Sequence, residues 1–409
     1  MNKLKMIVSI VFSVVVIQMI SIPTIINTQA AEQTINEKEF VIKDGVLERY
    51  AGEGGDVVVP DGVVSIGKRA FEEDFSIEDS QCITSITLSD TVISIEKEAF
   101  YGCRMLKSVK MSDSVTNIGS SAFGDCENLI EISSLDGVSS IGDYAFAGTP
   151  WLAKKCEENP IVIINGNLID GRGCKGDVTI PDTVTTIVGY AFSFNKEIIS
   201  VSIPDSVESI GDVAFADCRN LVTVKMTDSV KSIGEEVFEN CTSLKNIRLS
   251  NSIKVIKSWT FKNCKKLASI TIPYPVTKIE DTAFQSCKSL KYVTISNKVK
   301  SVEYYGNKAF SDCPNLIFYG QDKSYIQTYA KKNKIPFKKL ALAMTKKTLK
   351  TGEAYSLKMN SRALCSWKSG NKSVATVDAN GKITAKKKGK ATITATLYGK
   401  SYQCVVTVK

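Results

Sequence analysis

Seven cysteines recur at one offset. Cys103, Cys126, Cys218, Cys241, Cys264, Cys287 and Cys313 each stand three residues after a phenylalanine. Thiols in such number could hold a metal, exchange disulfides or act as nucleophiles. The rest of the composition narrows the choice. The 409 residues contain twelve Cys and no His, so the commonest general base and transition-metal ligand is missing. Ser–His and Cys–His machinery is excluded. A metal cage needs converging ligands, whereas one Cys per period predicts a line of thiols along an axis. A buried free Cys behaves as a compact hydrophobe, and a packing role is the expectation for these seven. Thr149 and Asn195 stand at equivalent positions, which suits a packing slot. Neither a metal nor a cofactor is expected.

Other chemistry finds little support. Carboxylates are plentiful, but none sits in a motif of the kind that hydrolyses glycosides. No phosphate loop or nucleophile elbow occurs. The acidic stretch 72–81, EEDFSIEDSQ, lacks the oxygen-ligand spacing and Gly of a calcium loop. It reads as a solvated insertion.

The elements that carry the cysteines repeat. Phe100, Phe123 and Phe146 are 23 residues apart, as are Phe192, Phe215, Phe238, Phe261 and Phe284. Phe146 to Phe192 spans 46 residues, two periods with one degenerate turn, and Phe71 and Phe310 extend the series at wider spacing. A fixed period in the twenties predicts a solenoid whose turns bury their apolar faces against one another. Within a period, LVTVKM (221–226) alternates as a strand, VKSI (230–233) is a second extended piece, and the segment around Ala-Phe is expected to form one or two helical turns. The residues flanking the strand Val point outward. That column runs from Ser85/Thr87 through Ser108/Lys110, Thr223/Lys225 and Asn246/Arg248 to Tyr292/Thr294. Lys110, Lys225, Arg248, Tyr292, Tyr304 and Tyr305 are the candidate binding residues, with the C-terminal part favoured.

The pattern IPDSVESIGDVAFADCRNLVTV (203–224) resembles the BspA-like leucine-rich repeats of bacterial surface proteins. The block 148–192 resembles an insertion common in that family, and 319–340 its closing helix and cap. The resemblance covers roughly residues 56–340, with the insertion at 150–178; 31–55 form a flank or cap. Residues 341–409 alternate strongly, with hairpin signals at DANGK and YGK. They read as a small all-β sandwich and resemble the bacterial Ig-like group 2 domain. The expected fold class is a leucine-rich repeat solenoid, β-strand plus short helix per turn, followed by an Ig-like sandwich. A Cys365–Cys404 bridge across that sandwich is one expectation and free thiols the other; Cys156 and Cys174 could close the insertion, and the pairing of Cys82 is open.

The N-terminus reads as a secretory signal peptide over residues 1–30, with basic MNKLK, an apolar run to Ile22 and small residues before Ala31. No second apolar stretch is long enough to span a bilayer, so the mature chain is expected outside the cell or on its surface. Charge is uneven. Residues 331–409 hold 19 Lys and Arg against two acids, a net of +17, which leaves −10 for residues 31–330. An anionic wall polymer is therefore an expected partner of 341–409; nucleic acid is not. The resemblance implies non-enzymatic adhesion through the repeat face, with a protein or glycan ligand such as a host matrix protein. A structural spacer of the wall or matrix is the alternative, and a carbohydrate-active enzyme the third reading.

Overall fold

The computed structural model describes residues 39–71, 82–302, 304–305, 307–361 and 363–409. The expected signal segment and the acidic loop 72–81 lie outside them. Residues 221–244 display the logic of one turn of the solenoid. Thr223–Lys225 is a strand with Val224 buried between exposed or half-exposed neighbours. Ser232–Ile233 is a second strand, with Ile233 turned inward. The first pairs with its copy one period on, parallel and in register: Thr223 opposite Asn246, Val224 opposite Ile247, Lys225 opposite Arg248; the second pairs in the same way with Ser209–Ile210, one period earlier. A one-residue slip would turn the buried set to solvent, so the apolar pattern holds this register.

The third side of each turn departs from expectation. The segment around each Phe is a run of hydrogen-bonded turns rather than one or two helical turns. Val213 and Asp217, two residues either side of Phe215, have φ of 59° and 57°, and Glu236 and Asn240 flank Phe238 with 56° and 57°. Left-handed residues at this spacing stop a helix from propagating. Their reason is the direction of the backbone donors. The N–H groups of Val213, Phe215 and Asp217 donate to the carbonyls of Glu235, Val237 and Glu239 one turn on, at 2.8, 3.0 and 2.8 Å. A helix would fold those donors back into its own turn, and buried backbone groups between stacked turns need axial partners. Gly211 permits the close stacking, because a Cβ there would lie 2.3 Å from the Gly189 nitrogen.

The solenoid has two cores, one running from Leu47 to Val162 and the other from Leu168 to Ala330. Each holds an aromatic stack. Phe40, Tyr50, Phe71, Phe100, Phe123, Phe146 and Trp151 follow one another at ring separations of 4.6–5.7 Å. Phe192, Phe215, Phe238, Phe261, Phe284, Phe310 and Phe318 do the same at 4.9–5.6 Å. The break falls at the degenerate turn, where Gly171 occupies the phenylalanine slot. Its N–H donates to the Ala191 carbonyl at 2.7 Å, as the Tyr50 N–H does to Ala70. A Cβ on Gly171 would lie 2.2 Å from the Phe192 ring.

The insertion is built like the start of the chain. Strands Phe40–Lys43 and Val46–Tyr50 form an antiparallel hairpin around Asp44–Gly45, both with positive φ. Strands Val162–Ile164 and Asn167–Asp170 form another around Asn165–Gly166, again both positive. Two left-handed residues in a two-residue loop make the turn whose twist suits a hairpin. Gly55-Asp56-Val57 and Gly176-Asp177-Val178 follow each hairpin at the same distance and open a parallel ladder. The middle of the solenoid thus contains a second opening unit. Helix Pro150–Glu158, capped by the Thr149 side chain, precedes it and lays Trp151 on Phe146.

Residues beyond 345 form two facing sheets. One has the order Lys346–Leu349, Lys400–Val408, Gly389–Leu397, Ser366–Ser369, and the other Ala354–Ser356, Lys382–Ala385, Ala375–Val377. The YGK hairpin is present, with Tyr398 and Gly399 at positive φ joining the two nine-residue strands. The Cys365–Cys404 bridge is not. Both are free thiols. Cys365 immediately precedes strand Ser366–Ser369 and Cys404 lies on Lys400–Val408; strand Gly389–Leu397 runs between these two, and two strand spacings, roughly 10 Å, exceed the reach of a disulfide, about 7 Å between Cα atoms. Cys156 and Cys174 are free thiols as well.

Candidate interaction surface

Strand registry converts the outward residues into columns. Asp56, Ser85, Ser108 and Glu131 form one row of neighbours in the first half, beside Val58, Thr87 and Lys110. In the second half Asp177, Ser200, Thr223 and Asn246 line up beside Thr179, Ser202, Lys225 and Arg248. Lys110 therefore belongs to a different sheet from Lys225 and Arg248, whereas the latter two are direct neighbours. All three are exposed.

Arg248 is engaged within the protein. Its guanidinium donates to both carboxylate oxygens of Asp228 at 2.9 Å and to the Met226 carbonyl at 3.3 Å. Partial burial raises the Asp228 pKa, but the Asn251 main-chain and side-chain N–H groups and Arg248 outweigh it and hold this carboxyl below its ordinary value. Arg248 can present one edge to a ligand while its other edge is fixed.

The C-terminal candidates are placed differently from expectation. Tyr292 is half-buried and packs against the core of the Ig-like module, together with Ile317 and Tyr319. The module covers this end of the strand face, so Tyr292 is an internal contact. Tyr304–Tyr305 form a short antiparallel hairpin with Asn307–Lys308 after strand Ser301–Val302. Ser301–Val302 belongs to the other sheet of the solenoid, so these tyrosines do not extend the outward column.

Between module and strand face lies a cleft of about 890 Å³. Lys225, Asn246, Arg248 and Thr271 line one wall, Leu364, Ser366 and Tyr398 the other. Leu364 is 71% exposed. At its margin the Tyr398 hydroxyl donates to the Ile272 carbonyl at 2.6 Å and approaches that of Thr294 at 3.0 Å. Burial pushes the Tyr398 phenol far above its ordinary range. Tyr274 stacks on Tyr398 at 5.9 Å. The signal for this cleft was present in the repeat: Tyr274 stands where the equivalent turns carry Asp182 and Asp205 after a Pro.

The cysteines form a structural column. Each thiol donates to the carbonyl of the preceding turn's aromatic slot: Cys126 to Phe100, Cys218 to Phe192, Cys241 to Phe215, Cys264 to Phe238 and Cys287 to Phe261, at 3.0–3.2 Å. Cys174 occupies the same slot in the degenerate turn, three residues after Gly171, and its thiol turns to Pro160. Asn195 replaces Cys beside the insertion, and its amide donates to Gly171, Arg172 and Cys174 carbonyls at 2.9–3.2 Å. Burial raises Cys218 to about 12, Cys313 to about 11, and Cys241, Cys264 and Cys287 well above their ordinary value, so these five are protonated and inert at neutral pH. Among the described residues no group of three or more Cys, Asp or Glu is placed to hold a metal, and no helix is long and apolar enough to cross a membrane.

Comparison with known proteins agrees with the geometry. A family model for BspA type leucine rich repeat regions matches residues 50–155, 73–199 and 185–317. A model for the bacterial Ig-like domain (group 2) matches 337–408. Neither description names an enzyme. Protein YjdB of Bacillus subtilis (strain 168) is 52% identical over 61 residues, 14% of this chain and 51% of that protein; the chain thus spans about half the length of this curated relative. Among solved structures, a leucine rich cell surface protein from Faecalibacterium prausnitzii is 25% identical over 71% of this chain and 94% of its own, with a TM-score of 0.30. A leucine-rich repeat protein from Bacteroides ovatus is 23% identical over 72% and 94%, with a TM-score of 0.37. The pneumococcal vaccine antigen PcpA is 18% identical over 71% and 91%, with a TM-score of 0.38.

Proposed function

The chain belongs to the BspA type leucine-rich repeat family, and from that premise we propose that it is an exported, non-enzymatic surface protein that binds an extracellular partner through the strand face of its repeats. The observation that carries this reading is the registered outward column Thr223–Asn246 beside Lys225–Arg248, which leads into the cleft below the Ig-like module. Hydroxyl, amide and cationic groups alternate there at strand spacing, about 4.8 Å. A rigid row of this kind suits an extended protein segment or a glycan chain. Adhesion to a host matrix protein or to another bacterium is the family's usual use of such a face. The inert thiols and the absence of His speak against Cys- or His-dependent catalysis.

The test is binding of the full chain to immobilised matrix proteins and glycans, compared with the Lys225→Glu/Asn246→Ala variant. Both positions are exposed, so the fold should survive. Loss of at least about tenfold in affinity is expected, the effect of roughly 1.4 kcal/mol. Absence of any ligand across the panel would favour a spacer, and turnover of a glycan would favour the enzyme reading.

A further inference from the structure

The Ig-like module meets the solenoid at the end formed by Asn360, Ser361, Leu364, Cys365 and the 397–400 turn. The Tyr398 hydroxyl reaches Ile272 there, and the Asn360 side chain donates to the Lys339 carbonyl at 2.8 Å. Its opposite end is made by three loops and is lysine-rich. The Lys386 and Lys387 N–H groups donate to the Val374 carbonyl, which joins the 386–388 loop to the loop carrying Lys372. The Gly352 N–H donates to Ala385 and the Ala385 N–H to Glu353, which joins it to the loop carrying Lys350. Lys390 follows at the start of its strand. Lys350, Lys372, Lys386, Lys387, Lys388 and Lys390 are all exposed. The acid in this region, Glu353, accepts the Lys350 main-chain N–H at 2.9 Å.

We propose that this end is a docking surface for a phosphodiester-linked anionic polymer of the bacterial cell wall. The inference rests on the surface location proposed above. Charge complementarity is the main argument: the module and its approach carry +17 against −10 for the body, so a polyanion is drawn to this end and repelled from the repeats. Side-chain type is the second. The six cations are lysines, point charges on flexible stems, without the planar fork with which arginine fixes a single carboxylate or phosphate. Five stand on three loops and Lys390 at the start of a strand. That arrangement suits a flexible chain with a charge in every unit, read by number rather than by shape. The docking also fixes direction, since a polymer held here leaves the outward column of the repeats free for its own ligand.

The experiment uses the full chain and beads bearing synthetic poly(glycerol phosphate), with polyglutamate and neutral dextran as comparators. Wild type should bind the phosphate polymer at 0.05 M NaCl and be released at 1 M, where the Debye length has fallen to about 3 Å. The Lys386→Glu/Lys387→Glu/Lys388→Glu variant should bind at least about tenfold more weakly with an unchanged melting temperature. Lys154→Glu, exposed on helix Pro150–Glu158 of the solenoid, should bind as wild type. Equal binding by wild type and triple variant, or binding that resists 1 M salt, overturns the proposal. Equal affinity for polyglutamate overturns the phosphodiester assignment. Salt-sensitive self-association that the triple variant abolishes and the polymer does not compete would assign the surface to the acidic body of a second copy instead. Failure of the matrix and glycan panel leaves these readouts untouched, so the two proposals fall separately.

Discussion

The thiol of Cys241 donates a 3.1 Å hydrogen bond to the carbonyl oxygen of Phe215, one turn earlier. The same oxygen accepts the Cys218 main-chain N–H at 3.3 Å, so each aromatic slot is tied both within its own turn and to the next.

This separates two kinds of core mutation. Phe215 is fully buried between Phe192 and Phe238, and Phe215→Ala should cost about 3–5 kcal/mol. Cys241→Ala removes one of two bonds to an oxygen that keeps the other, and should cost about 1–2 kcal/mol. Urea unfolding of both variants checks the order; equal effects would contradict the stacking.

Burial keeps the column thiols protonated well past neutrality. Burial pushes the folded pKa of Cys218 up to about 12 from its ordinary 9.0. A raised pKa means that its contribution to stability is complete below pH 9 and is lost as pH rises towards 12. In native protein at pH 8 the buried Cys218, Cys241, Cys264 and Cys287 should react with a thiol reagent only as fast as the protein unfolds, whereas the partly exposed Cys156, Cys313 and Cys365 are open to direct labelling; mass spectrometry of alkylated, unreduced protein should find no bridge within the column. Rapid labelling of those four buried thiols in folded protein would contradict this.

Gly171→Ala should destabilise by about 1–3 kcal/mol, because the new methyl would sit 2.2 Å from the Phe192 ring, which Phe215 backs. The φ at Gly171 is not left-handed, so the effect is one of crowding. Thermal unfolding measures it, and a neutral result would mean that the two halves part more easily than their packing suggests.

Glu236 offers a pH-dependent change of opposite practical use. Partial burial, together with the hydrogen bond and charge of Glu239, pushes its folded pKa up from 4.5 to about 7. Its contribution is therefore complete below pH 4.5 and lost as pH rises through 7. Glu236→Gln should raise the melting temperature at pH 8 and leave it nearly unchanged at pH 4.5. A variant less stable at pH 8 would refute the sign.

Tyr398→Phe removes a buried donor and leaves the Ile272 carbonyl short of a partner, while Thr294 keeps the Ile272 N–H at 2.9 Å. A cost of about 1–3 kcal/mol is expected. It should appear in calorimetry as the Ig-like module melting apart from the solenoid.

Local, repeated signals were legible in the sequence. The 23-residue period located Phe215, Val224 and Ile233 in the core, and alternation placed Lys225 and Arg248 on one outward column. The non-local features were not. Helical turns were expected around Phe215 because spacing alone does not reveal that Val213 and Asp217 must aim their N–H groups along the axis. Asn165–Gly166 is a hairpin signal, but its likeness to Asp44–Gly45 was hidden by Gly171 standing where Tyr50 stands. Tyr292 looks like a ligand contact until the Ig-like module is seen to cover it, and Cys365 looks like a partner for Cys404 until strand order separates them.

The second opening hairpin has a mechanical consequence. Within each half, an unbroken series of ring contacts and axial main-chain bonds between the aromatic-slot turns fasten the turns; these bonds continue from Glu236, Phe238 and Asn240 to Ser258, Thr260 and Lys262 where the strand ladders of the second half break after Ser232–Ile233 and Asn246–Arg248. Across the junction, the first sheet ends at Ser140–Ile141, and the fastening passes to side chains: Asn165 and Asn167 reach back to carbonyls between Leu135 and Ser139, and Asp143 accepts the Gly189 N–H at 2.8 Å. A pull on the protein, such as a tethered surface protein meets in flowing fluid, would load two stiff rods joined in series by a softer coupling. The rods would keep their repeat faces intact while the coupling between Ile141 and Leu168 yields first.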